Sequence, residues 1–409
     1  MRLLLTCLTL FSCFFASAQR TCSSSEYTAA RSAADPAAAQ GMAAARNFLA
    51  ERATLRLQHS ITYRIPVVVH VLYADAAQNV SDDAVRSQIE ALNRDFRRRN
   101  NDSVNTPDRF RSLAADVAIE FVLASATPEG YPTNGIVRKY TGVNQWQQDD
   151  AMKFASAGGD DAWDARSYLN IWVCPMGRIL GYASAPGGAA DRDGIVINFS
   201  AFGTIGAAAP FDKGRTAVHE TGHWLGLKHI WGDTYCGDDE VADTPKQSNY
   251  TSGCPTGIRT SCGNSATGDM YMNYMDYTND ACINLFTEGQ SARMRANFYA
   301  GGPRASLLAS KGLDKPWATP PVVVAAPGPL VATATVYPNP AQSVLHIDFG
   351  GSTWTGRELR VYNAQGALVQ RGQIGSRLHN VNTAGLSSGV YWIVAVNGDE
   401  VIRKSFVKQ

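Results

Sequence analysis

The stretch HETGHWLGLKH, residues 219–229, carries the reading of this chain. At about 100° per residue, His219 and His223 lie one helical turn apart on one face, roughly 40° out of register, so both imidazoles can address one cation. Glu220 sits about 100° around from His219, where it can reach a water on that cation without being a ligand. A continued helix would turn His229 about 240° away from His223, so the chain must bend. Gly226 supplies the bend, because glycine enters the left-handed conformation without a Cβ penalty. Three neutral imidazoles and one open position make a catalytic zinc site rather than a closed structural one. A lone histidine is ordinarily a surface or core residue, but three of the seven in this chain fall in this one run.

Downstream lies NYMDY, residues 273–277. The two stretches together resemble the metzincin metallopeptidases. That resemblance implies that Met275 is a structural floor beneath the zinc site and Tyr277 a switchable residue near the metal. The flanks GRTA (214–217), DEVADTP (239–245) and NYMDYTNDACINLFTEGQSARM (273–294) give a closer resemblance to the pappalysin family. The resemblance covers roughly residues 60–300.

Asp238, Asp239, Glu240 and Asp243 crowd together, which is costly unless solvent or a cation screens them. The pappalysin resemblance implies calcium here, with Asp239 and Thr244 matching ligands and Asp243 as a further candidate ligand. Some relatives carry a further acidic ligand where this chain has Lys246, and a solvated acidic loop is the alternative. Bacterial relatives favour cleavage before arginine through an acidic pocket just before the cysteine after the Met-turn. Here Ala281 holds that position and Asp280 precedes it, so Asp280 is the candidate pocket residue.

The N-terminus places the protein outside the cytosol. Met1-Arg2, an apolar run over 3–15 and Ala16-Ser17-Ala18 read as a secretory signal, residues 1–18. A lipid anchor at Cys13 is the alternative. The run is too short to span a membrane, and no other stretch of about 18 apolar residues exists. A net charge of +1 gives no sign of a nucleic-acid or anionic-membrane partner.

Of eight cysteines, Cys7 and Cys13 fall in the signal, and Cys236, Cys254, Cys262 and Cys282 bracket the segment after the histidine run. In an exported chain these four are expected as disulfides, with three possible pairings. A second zinc site is the alternative, but no C-x-x-C pair supports it. The pappalysin resemblance implies Cys236 with Cys262 and Cys254 with Cys282.

Residues 19–57 are rich in Ala, Ser and Arg, with weak helical character over 37–49, and read as a pro-segment. Cys22 could fill the open zinc position and hold the enzyme latent, as cysteine switches do in some metzincins. A spare or intermolecular cysteine is the alternative. Cleavage at Leu55-Arg56 or Glu51-Arg52 would release this segment.

The catalytic domain is expected over 58–314. ITYRIPVVVHVLY (61–73) reads as a buried strand, and Ser81 caps a helix bearing Val85, Ile89, Leu92 and Phe96 on one face. Strands are expected over 117–123, 168–174 and 194–198. Thr287 to Gln290 forms a capping box before a closing helix with Met294 and Phe298 inward. The fold class is α+β, a metzincin-like twisted mixed sheet with a zinc helix and a closing helix, followed by a small all-β sandwich.

Residues 315–332 read as a Pro/Ala/Val linker and 333–409 as the sandwich. YPNP (337–340) and the closing lysine-rich strand resemble the C-terminal sorting domain of the type IX secretion system, which implies that machinery as a partner. A carbohydrate- or protein-binding sandwich is the alternative.

The functional expectation is a secreted zinc endopeptidase acting on extracellular proteins or peptides, made as a latent zymogen, with Glu220 as general base. The rivals are an adhesion or binding protein with an idle metzincin-like domain, and zinc hydrolysis of a non-peptide substrate.

Overall fold

The structure, a computed structural model, describes residues 20–53, 61–318, 334–350, 352–364, 367–397 and 400–409. The expected signal, the Leu55-Arg56 bond and most of the expected linker lie outside these residues. The chain divides between Thr319 and Pro320 into two units, each with its own hydrophobic core.

Two helices open the first unit, α1 (Ser24–Ala34) and α2 (Pro36–Arg52). Asp35 accepts from the backbone N–H groups of Ala37 and Ala38, and Pro36 occupies the first turn of α2, where its missing N–H costs nothing. Sequence reading anticipated only part of α2. The α1 segment, SSEYTAARSAA, has no apolar stripe, and only Ser24 and Tyr27 are buried.

The central strand is β1 (Tyr63–Tyr73), buried without a break from Ile65 to Leu72. Burial on both faces is what a parallel sheet requires of such a run. One edge of β1 takes two parallel partners in succession, β2 (Ile119–Leu123) beside its first half and β3 (Ile136–Tyr140) beside its second. Its other edge pairs with β4 (Leu169–Cys174). The last strand in the sheet, β5 (Gly181–Ala183), runs antiparallel to β6 (Ile195–Asn198), which is parallel to β4. The sheet is therefore mixed. Neither β3 nor β5 was anticipated: no residue of β3 is fully buried, and β5 has only three residues.

Helix α3 (Asp82–Phe96) is capped by Ser81 and buries Val85, Ile89, Leu92 and Phe96 against the sheet. A single-turn helix, α4 (Asp108–Arg111), follows. Helix α5 (Arg215–Trp224) carries His219 and His223 and is buried along its whole length. Helix α6 (Glu288–Ala296) begins with the expected reciprocal cap between Thr287 and Gln290.

The second unit is all-β, with β7 (Thr335–Tyr337), β8 (Val344–Asp348), β9 (Glu358–Asn363), β10 (Leu368–Gln373), β11 (Leu378–Asn382), β12 (Gly389–Asn397) and β13 (Glu400–Lys408). They form two antiparallel sheets, ordered β11-β8-β7 and β10-β9-β12-β13. Leu345 and Ile347 from one sheet share a core with Val361, Ile393 and Ile402 from the other. Strands β10 and β11 were not anticipated.

One buried ion pair ties α5 to its surroundings. Both guanidinium NH groups of Arg304 donate to Asp193, at 2.8 and 3.0 Å. The same carboxylate accepts from the Trp224 indole and the Ser184 hydroxyl, while the guanidinium lies 3.7 Å over the Trp224 ring. Burial opposes the Asp193 charge, but Arg304, helped by Trp224 and Ser184, outweighs it and holds the carboxyl below its ordinary value. Arg304→Ala should cost about 3–5 kcal/mol in urea unfolding, because it leaves a buried carboxylate unpaired. Since the folded-state value is depressed, the contribution of this pair is complete above about pH 4 and lost as pH falls through that depressed value.

Candidate metal centre

His219 and His223 leave α5 on the same face, as their spacing requires. The helix then stops. Gly226 takes φ +90°, its N–H donates to His223 O at 2.8 Å, and Leu227 N–H donates to Gly222 O at 3.0 Å. These two bonds form a Schellman motif, which satisfies the terminal carbonyls and turns the chain. The turn brings His229 back, so that its Nε2 lies 3.1 Å from His223 Nε2, the same distance that separates His223 Nε2 from His219 Nε2.

The other ring nitrogens explain why the Nε2 atoms converge. His219 Nδ1 donates to Tyr274 O at 2.6 Å and His223 Nδ1 to Leu227 O at 2.9 Å, while His229 Nδ1 pairs with the Asp233 carboxylate. With the outer nitrogens engaged there, the three Nε2 atoms face one another. Burial, aided by the neighbouring rings, pushes His219 well below its ordinary value and His223 down to about 3, so these two imidazoles are neutral. Such an arrangement is repulsive unless a cation lies among the nitrogens. Tetrahedral zinc with bonds of about 2.0–2.1 Å would set its nitrogens roughly 3.3 Å apart, close to the spacing observed.

The fourth donor is Cys22. Its Sγ and the three imidazole nitrogens all lie within 4.8 Å of one another, and all four residues are buried. Among the described residues no other group of three or more His, Cys, Asp or Glu has such spacing. Burial, reinforced by Glu220, pushes the Cys22 thiol well up, so only a cation at this point would favour the thiolate. The donor set therefore fits a divalent metal.

Glu220 faces the same space. One carboxylate oxygen accepts from Ser24 Oγ at 2.8 Å and from Cys22 Sγ at 3.4 Å. Burial pushes this carboxyl up to about 7, against the opposing hydrogen bonds from Ser24 and Cys22. Met275 lies directly beneath α5: a Cβ on Gly222 would stand 2.5 Å from its sulfur, so any larger residue there would have to displace the methionine side chain. The Tyr277 ring is 5.0 Å from the His229 ring, and its hydroxyl donates to Cys22 O at 2.8 Å.

Asp280 is fully buried at the start of α5. One oxygen accepts from the backbone N–H groups of Lys213 and Arg215, and the other pairs with the Arg20 guanidinium. Residues 21–23 run parallel to the start of β5, with Leu180 N–H donating to Thr21 O at 2.9 Å and Ser23 N–H to Gly181 O at 3.3 Å. Arg20 and Ser24 were missed in the sequence reading. Nothing local marks either one, because their partners lie 260 and 196 residues away.

Disulfides join Cys236 to Cys262 and Cys254 to Cys282, and Cys174 is a free, buried thiol. Asp239 is buried and accepts from Thr244 Oγ1 at 2.9 Å, whereas Asp243 turns its oxygens to Thr287 and Gly289 at the start of α6.

Residues 155–299 match the peptidase family described as pregnancy-associated plasma protein-A. An extracellular metalloprotease of Pyricularia oryzae is 34% identical over 277 residues, which is 64% of this chain and 82% of that protein. The chain belongs to this family. It is a pappalysin-type metallopeptidase. Mature mirolysin from Tannerella forsythia, solved with a cleaved peptide, is 50% identical, covering 61% of this chain and 96% of that one at a TM-score of 0.60. A point mutant of promirolysin from the same organism is 46% identical over 71% of this chain and 97% of its own, at a TM-score of 0.66. Residues 335–409 match the secretion system C-terminal sorting domain, which marks this pappalysin for export.

The bend gives a direct test. Alanine at 226 would be strained at φ +90° and would place its Cβ 2.5 Å from Leu49 Cδ1. Gly226→Ala should cost roughly 1 kcal/mol or more of stability. Elemental analysis should find less than one zinc per chain in this variant, because His229 is displaced.

Proposed function

We propose that this pappalysin is a secreted zinc endopeptidase, made as a zymogen, in which His219, His223 and His229 hold the ion and Glu220 is the general base. The observation that carries this reading is the convergence of three histidine Nε2 atoms beside a buried carboxylate. When bound, zinc supplies a Lewis acid that polarises the scissile carbonyl and lowers the pKa of its water to around 7, from about 15.7 in bulk. Glu220 takes the proton from the attacking water and returns it to the leaving amine. Tyr277 can swing its phenol from Cys22 O to the oxyanion that forms on the substrate.

Residues 20–53 are the latency element in this reading. Cys22 stands where the open position would be, and Ser24 and Cys22 both engage Glu220. The buried pair between Arg20 and Asp280 supports an arginine preference: the pro-segment places in the Asp280 pocket the side chain that a substrate would offer after the scissile bond. Cleavage near Arg52 or Arg56 then separates the segment from the domain that begins at residue 58. The type IX machinery reads residues 335–409 during export.

A calcium ion at Asp239 and Thr244, with Asp243 nearby, belongs to the same reading. Burial pushes Asp239 up to about 7, and a cation there would keep it charged.

Glu220→Gln should retain zinc but lower cleavage of a denatured protein by about 10²–10⁴-fold, read by gel assay of the segment-free enzyme. Full activity in that variant refutes the assigned base. In cleavage-site mapping over a whole proteome, Asp280→Ala should lose most of the preference for arginine that the unmodified enzyme shows.

A further inference from the structure

A second set of buried charges lies beside β5, away from the histidines. Asp150 and Lys153 are both fully buried and paired at 2.9 Å. The Tyr182 hydroxyl donates to Asp150 Oδ1 at 3.0 Å and lies 3.2 Å from Met152 Sδ, and Lys153 Nζ donates to Arg192 O at 2.8 Å. All of these groups come from the chain beyond residue 57, and they brace one another. One side alone is closed from elsewhere. Tyr27 of α1 donates its hydroxyl to Asp150 Oδ2 at 2.8 Å, and its ring lies 4.8 Å from the Tyr182 ring.

The chemistry of this hole is more selective than packing requires. An apolar wall would accept any aromatic anchor, but here a carboxylate oxygen waits at the ring tip. The Lys153 ammonium stands 5.1 Å from the centroid of the Tyr27 ring. A donor at the tip and an electron-rich face describe a phenol. Because Asp150, Lys153 and Tyr182 hold one another without Tyr27, removal of the N-terminal helices opens the hole without dismantling it.

Its position follows from the path of the pro-segment. Arg20 occupies the Asp280 pocket, Cys22 stands at the histidines, Ser24 Oγ accepts from Ala183 N–H at 2.9 Å, and Tyr27 enters the hole beyond. Along the pro-segment, the Asp280 pocket and the hole therefore flank Cys22, which stands at the histidines. We propose that the hole is a substrate subsite for a tyrosine side chain on the N-terminal side of the scissile bond, and that Tyr27 fills it only in the latent chain. This rests on the reading of residues 20–53 as a removable pro-segment with arginine taken after the bond.

The test uses the protein after loss of that segment, with the new N-terminus verified by sequencing. Quenched fluorescent peptides share an arginine after the bond and vary each of the four preceding positions among Tyr, Phe, Leu and Ala. At one position kcat/KM for Tyr should exceed that for Phe by roughly tenfold, because a site built to bond a hydroxyl discriminates against its absence. Asp150→Ala, which removes the acceptor, should collapse that ratio towards one. Equal rates for Tyr and Phe at all four positions, or a ratio unchanged in Asp150→Ala, overturn the subsite. If that variant does not fold, the Tyr/Phe comparison in the unmodified enzyme decides alone. Failure of the segment-free enzyme to cleave any peptide overturns the pro-segment reading and the subsite with it.

Discussion

The site depends on what holds the outer nitrogens of three imidazoles. Backbone carbonyls of Tyr274 and Leu227 and the carboxylate of Asp233 engage the Nδ1 atoms of His219, His223 and His229, and the Nε2 atoms are thereby aimed at one point. Each of these acceptors is itself positioned by something else. Tyr274 belongs to the turn that carries Met275, Leu227 belongs to the Schellman motif, and Asp233 follows the bend. The metal-binding geometry is thus a property of the loop after α5 and the turn beneath it as much as of the helix. Orientation of ligand rings by such outer partners is a general requirement of metal sites.

The N-terminal segment engages polar and charged groups of the rest of the first unit. Arg20 meets Asp280, Cys22 and Ser24 meet Glu220, Tyr27 meets Asp150, and Leu49 packs at Gly226. Arg46 adds an ion pair with Glu240, which Lys228 and Arg293 also engage. The contacts are spread from one end of the segment to the other, so no single one has to hold it. Their burial also differs: the contacts of Arg20, Cys22, Ser24 and Tyr27 are buried, whereas Arg46 is largely exposed.

Much of the geometry was readable from local spacing. The i, i+4 histidines, the bend at Gly226, the Ser81 cap and the Thr287–Gln290 box are all decided within a few residues. The buried run of β1 was equally plain. Strand β5 escaped notice because three residues carry no periodicity, and β3 because IVRKY has no fully buried residue. Strand pairing gives those segments their structure. The disulfide partners could not be chosen from spacing, and the contacts of Arg20 and Tyr27 join residues more than a hundred positions apart. Such pairs leave no periodic trace, and α1 looks unremarkable until its partners are known.

The two disulfides tie down the stretch between the bend after α5 and the turn beneath it, and Cys282 lies two positions after Asp280. Glutathione and thioredoxin keep thiols reduced in the cytosol, whereas these bonds form and persist in oxidising compartments. Until the chain reaches such a compartment, the segment between Cys236 and Cys282 lacks its covalent braces. Redox environment, independent of any proteolytic cut, is therefore a condition on the completed fold of that segment.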